Sequence, residues 1–214
     1  MKNIVRHILP ALTVVLAIVM AAGASFAQVQ QQDDDVFSTN YFSNNTTPGA
    51  PPATLRFTEH GVPVLVGLGQ QYSATEECAM IYVYAADQQL AECCGCPVST
   101  NGLVHESVQK DLLGNTLTRV VPNEGVIQIV SGGYISAGNF GICDPTDFEP
   151  TPEIDSWVTH VQNKVGASFP ITESRGDEEL LSADELSTLE SDCYGAQRLG
   201  SGFGVCSCNT EAPK

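Results

Sequence analysis

Positive charge is what this sequence has least of. Nine Lys and Arg stand against 25 Asp and Glu in 214 residues, a net charge of −16. Two of the nine, Lys2 and Arg6, sit near the start, so seven serve the rest of the chain. So few cations cannot build a basic stripe, which excludes binding nucleic acid by phosphate neutralisation. Anionic lipid is disfavoured for the same reason. Histidine is also scarce. Beyond His7 there are His60, His105 and His160, none of them in an HExxH frame, and no GxSxG elbow presents a nucleophile. The run Gly200-Ser201-Gly202-Phe203-Gly204 has no lysine and follows a helical pattern. It reads as a helix cap and turn, not as a phosphate loop.

A long apolar run occurs once, from Ile8, behind Lys2 and Arg6 and ahead of small residues. That layout is a secretory signal over 1–27, with Ser25 and Ala27 at the −3 and −1 positions; Ala22 and Ala24 offer a second cleavage site. An uncleaved membrane anchor is the alternative. No cysteine precedes Cys78, so no thiol is available there for a lipid. Residues 28–53 are rich in Gln, Asn, Thr and Pro and read as a low-complexity linker or tether, in which Asp33, Asp34 and Asp35 are solvated. Asn44 and Asn45 each head an N-x-T sequon, which matters only in a host that glycosylates. Residues 54–208 are read as a single domain and 209–214 as a tail.

The domain's first half reads as strands. "ATLRFTEHG", "VPVLVGLG", "GLVHESV" and "GVIQIVSGGYI" are short apolar segments bounded by turn residues. "CAMIYVYAADQQLAECC" reads as two strands about Ala86-Asp87-Gln88. On the first of them, Met80, Tyr82 and Tyr84 share one face and Ala79, Ile81 and Val83 the other. Both faces being apolar or aromatic implies a central strand covered on both sides. The second half changes period. Thr151, Pro152 and Glu153 resemble a helix start, and Ile154, Trp157, Val158 and Val161 recur at helical spacing, which predicts a helix over 152–164. A second helix begins at Ser182, with Glu185 completing a capping box. Its apolar stripe is Leu186, Leu189, Cys193 and Ala196, and Arg198 and Gly200 mark its end. "GFGVCSC" reads as one more strand. The fold class expected is α+β: an antiparallel β-sandwich-like sheet domain with two helices in its C-terminal half, stapled by disulfides.

Eight cysteines carry the staples: Cys78, Cys93, Cys94, Cys96, Cys143, Cys193, Cys206 and Cys208. An even number in an exported chain favours up to four bridges, with 105 pairings open. Neighbours on a strand point to opposite faces, so Cys93 and Cys94 find different partners, while Cys94 and Cys96 share a face, as Cys206 and Cys208 do. A join between the 93–96 cluster and the C-terminal strand is one arrangement that fits. The alternative is a thiolate site for copper or zinc built from Cys94, Cys96, Cys206 and Cys208, although CxC is not the spacing of zinc knuckles. Redox exchange through Cys94-Gly95-Cys96 lacks the surrounding βαβ pattern. The acidic loop carries Asp144, Asp147, Glu149, Glu153 and Asp155, of which Asp144, Asp147 and Glu149 are candidate calcium ligands. The EF-hand frame is missing, and solvated carboxylates explain these acids more simply.

The segments "CAMIYVYAADQQLAECCGCPVSTNGL", "GVIQIVSGG", "WVTHVQ" and "LGSGFGVCSC" together resemble a group of small exported cysteine-rich bacterial proteins of uncharacterised function. The likeness runs from Leu55 to Cys208 and implies no activity, cofactor or catalytic residue. The expectation is therefore an exported, non-catalytic structural or binding domain, in the periplasm, at the cell surface or outside the cell. Its partner would be a protein or glycan at the envelope, with the membrane involved only if the N-terminal segment is uncleaved. Thiolate binding of copper or zinc is the second reading. A hydrolase with an unrecognised site is the third, and it needs His60, His105 or His160 beside a carboxylate and a nucleophile.

Overall fold

In a computed structural model, residues 36–59, 76–99, 102–132, 143–151 and 154–208 are described. They belong to one unit, Asp34–Lys214. Residues 1–27, expected to be a signal, together with "VPVLVGLG", His60 and Glu153, lie outside the described residues.

Among the described residues, nine strands and one helix follow in chain order: β1 (Val36–Ser43), β2 (Thr54–Glu59), β3 (Glu76–Ala85), β4 (Leu90–Ser99), β5 (Leu103–Ser107), β6 (Glu124–Gly132), β7 (Ile154–Val161), β8 (Ile171–Arg175), β9 (Asp177–Leu180) and α1 (Ala183–Leu199). They form two antiparallel sheets, ordered β4-β3-β6-β1-β9 and β5-β2-β7-β8. The result is a sandwich-like, disulfide-stapled fold with a helix on one outer face.

Strand β3 shows how the layers are specified. Ala79, Ile81 and Val83 enter the core between the sheets beside Leu55, Phe57 and Ile129, while Met80 and Tyr82 face the other way, against Leu189 and Cys193 of α1. Both faces are covered, as the sequence pattern requires. The turn after β3 closes with Ala85 and Gln89 hydrogen-bonded and Gln88 at positive φ. Helix α1 also matches its sequence signals. Ser182 Oγ accepts from Glu185 N, the Glu185 carboxylate accepts from Ser182 N, and Leu189, Cys193 and Ala196 are buried.

Three expectations need correction. Residues 152–164 do not form a helix; 154–161 are strand β7, paired to β2 and β8. Ile154, Ser156 and Val158 alternate into the core, and a run of Ile, Val, Thr and Trp suits a pleated surface better than a helix. The helical spacing of 154, 157, 158 and 161 combines apolar residues from both faces of the strand, 154 and 158 on one and 157 and 161 on the other, and the fold has one described helix where two were expected. The segment 28–53 is not wholly a tether. Residues 36–43 are β1, between β6 and β9 in the first sheet, with Phe37 and Phe42 buried on opposite faces. Finally, "GFGVCSC" is no full strand. Val205 makes a single parallel bridge to Cys93, and Gly202 and Gly204 take positive φ, which breaks extended pairing.

Candidate functional site

The cysteines form four bridges: Cys78–Cys143, Cys93–Cys193, Cys94–Cys206 and Cys96–Cys208, with sulfurs 1.94–2.05 Å apart. No described cysteine is free. Cys93 points outward to α1, while Cys94 and Cys96 point inward and take the two cysteines of the C-terminal segment. Gly95 lies between them because a Cβ there would stand 2.3 Å from the carbonyl oxygen of Cys143. The C-terminal segment thus covers the exposed edge of β4, an edge that otherwise invites pairing with other chains. Cys94, Cys96 and Cys208 bring their sulfurs within 4.8 Å of one another. As disulfides, none of them is the thiolate that copper or zinc requires.

The other candidates are dispersed. Asp144 uses Oδ1 to accept from Thr146 N and Thr146 Oγ1, closing a turn, and Asp147 and Glu149 are exposed nearby. Asp155 is held by Arg175 on β8. His105 is exposed on β5, opposite Arg56. His160 Nε2 lies 2.8 Å from Ser174 Oγ, and its ring stacks 6.3 Å from Tyr41. The two described histidines are therefore not brought to one centre. Asn45 Nδ2 is engaged with the carbonyls of Val161 and Gln162, and Asn44 is buried and bonded to Pro122 O, so both sequon amides already have partners.

Glu59, Glu92 and Glu106 are all buried, and the first two have raised carboxyls. Burial, reinforced by its neighbour Glu77, raises the Glu59 carboxyl to about 9, and Ser131 Oγ donates to it. Burial raises Glu92 to about 7, although Asn115 N donates to it at 2.7 Å. Glu92 acts structurally, because Asn115 also binds the carbonyls of Gly202 and Val205 and so ties the C-terminal segment to β4.

Sequence reasoning missed a groove of about 730 Å³ on the outer face of the first sheet, beside α1. Its floor comes from β1, β3 and β6 and includes Phe37, Tyr41, Tyr84 and Val126; its far wall is the first half of α1, with Thr188 and Leu189. Glu124, Asp184, Glu185 and Asp192 stand around it, all of them exposed. Tyr84 Oη donates to Asp192 and Tyr41 Oη to Glu124, each at 3.2 Å. Burial, then the adjacent Asp192, holds the Tyr84 hydroxyl neutral well above the usual tyrosine range. Hydrogen bonds from Ser182 hold Glu185 below the usual carboxylate range. The only signal in the sequence was the second aromatic of β3, Tyr84, on a face otherwise destined for the helix.

The chain matches no family model, no curated protein and no solved structure at a significant level.

Proposed function

We propose that this chain is an exported, non-catalytic binding domain whose ligand seat is the groove between α1 and the first sheet. The observation that carries this reading is the groove itself, whose volume of about 730 Å³ lies in the range of small-molecule sites. Its apolar floor supplies contact area, and its few polar groups supply orientation. Among the described residues the lining contains no Ser, Cys, Lys or His, and Thr188 Oγ1 already donates to Asp184 O. A Ser or Cys nucleophile paired with a His or Lys base is thus missing from the described lining. Its carboxylates are exposed, whereas a general acid at neutral pH relies on burial to keep its proton. Four disulfides suit a chain that works in an oxidising compartment.

Saturation-transfer NMR with a fragment library tests the reading. Thr188→Trp places a bulky ring on the exposed wall of the groove. Fragments that bind the parent protein are expected to be lost in this variant, with its melting temperature preserved. Hits of equal strength in both proteins, or no hits in either, overturn the proposal.

A further inference from the structure

We infer that the groove seats an organic cation, a small molecule with an apolar body and an ammonium or guanidinium head. This rests on the reading of the groove as a ligand seat and adds the sign of the ligand's charge. Four carboxylates surround the groove, and among the described residues that line it none is Lys, Arg or His. The floor contributes the aromatic rings of Phe37, Tyr41 and Tyr84, whose π systems attract cations. The two tyrosine hydroxyls act in the same direction. Each spends its proton on a carboxylate, Tyr84 on Asp192 and Tyr41 on Glu124, so each oxygen has only lone pairs left to offer.

One feature opposes this sign: the N-terminal end of α1 borders the groove, and the positive end of a helix favours anions. That end is already answered. Ser182 and Glu185 satisfy each other's backbone N–H groups in the capping box. Asp184 and Glu185 add two full negative charges against a dipole worth about half a positive one. An anion would therefore meet net repulsion. A second copy of this chain, at −16, is repelled by the same field. A bare metal ion is a poorer match than an organic cation, because the floor is apolar and, among the described residues, no three of the groove's carboxylates gather within ligating distance of one another.

The test uses three probes of similar shape on the oxidised full chain: benzyltrimethylammonium, N-benzylacetamide and phenylacetate. Each is titrated while amide shifts are followed by NMR. Benzyltrimethylammonium is expected to shift the amides of Tyr84, Gly125 and Thr188. Its affinity should fall at least fivefold in the Glu124→Gln, Asp192→Asn double variant, whose melting curve confirms folding. If the neutral or anionic probe binds at those residues as tightly as the cation, the charge assignment is overturned and the groove reading stands. If no probe moves these amides, the groove reading fails and the inference falls with it. A hexalysine peptide that shifts them when benzyltrimethylammonium does not overturns the small-molecule form.

Discussion

Cys93 and Cys94 are adjacent in sequence yet bonded on opposite sides of β4, Cys93 to Cys193 on α1 and Cys94 to Cys206 in the C-terminal segment. The alternation of a strand makes this possible, because successive side chains leave opposite faces. One strand thereby fastens three layers: the helix, the sheet and the segment that covers its edge. Cys96–Cys208 adds a second rung beside Cys94–Cys206, with the same separation of 112 residues.

Removing the Cys93–Cys193 bridge should therefore loosen α1 from the sheet. It closes a loop of 100 residues. Because Cys94–Cys206 remains, the constraint lost is a ring of about 15 residues through 93–94 and 193–206, and the double variant Cys93→Ala, Cys193→Ala is expected to lose about 3 kcal/mol in denaturant unfolding, by the chain-entropy relation. Non-reducing peptide mapping of the parent should return the four pairs given above, with an intact mass eight hydrogens below that of the reduced chain. A map that joins Cys93 to the C-terminal segment would refute the layer assignment.

Gly95 should tolerate no side chain. The position faces the backbone of Cys143, which cannot move aside as a flexible side-chain tip can. Gly95→Ala is expected to cost about 1–3 kcal/mol, as overpacking does. Thermal melting checks it, and a change within a few tenths of a kcal/mol would show that the Cys143 segment yields freely.

These cysteine relations were partly legible in the sequence, and the reasons differ from element to element. The opposed faces of 93 and 94 and the shared face of 94 and 96 follow from strand geometry alone. Ser182, Glu185, Leu189, Cys193 and Ala196 located α1 because capping and periodicity agree there. Strand β7 was hidden because Ile154 and Val158 on one face and Trp157 and Val161 on the other together mimic a helical spacing, and only pairing with β2 and β8 selects the strand. Strand β1 was hidden for a different reason. Its inward positions are Ser38, Asn40 and Phe42, so two of three read as polar, yet Ser38 and Asn40 are buried and hydrogen-bond Ser156 of β7 at 2.6 and 2.7 Å. The groove was not legible because its floor comes from three strands distant in sequence.

The capping box at Ser182 should stabilise the wall of the groove locally. Ser182→Ala removes the acceptor for Glu185 N and is expected to cost about 1 kcal/mol, whereas Ser182→Asp should be close to neutral. Hydrogen exchange at the Glu185 and Leu186 amides should accelerate in the alanine variant and remain near parent rates in the aspartate variant. Equal exchange in both would show that the cap does not hold this end of the helix.

The buried acids predict a stability that falls as pH rises. Glu59 and Glu92 carry folded-state values of about 9 and 7, against an ordinary value of 4.5. Between 4.5 and those values the unfolded chain has released protons that the folded chain retains, so unfolding becomes easier with each step in pH. The loss begins near pH 4.5, the Glu92 part is complete above pH 7, and the Glu59 part continues to about pH 9. Melting temperature should accordingly be highest near pH 5 and decline toward pH 9. Glu92→Gln separates the two contributions. Its carbonyl oxygen can still accept from Asn115 N, but the side chain cannot ionise. At pH 8 this variant should be more stable than the parent by on the order of 2 kcal/mol, and at pH 5 by much less. If parent and variant show the same slope between pH 5 and 8, Glu92 does not carry the proton assigned to it.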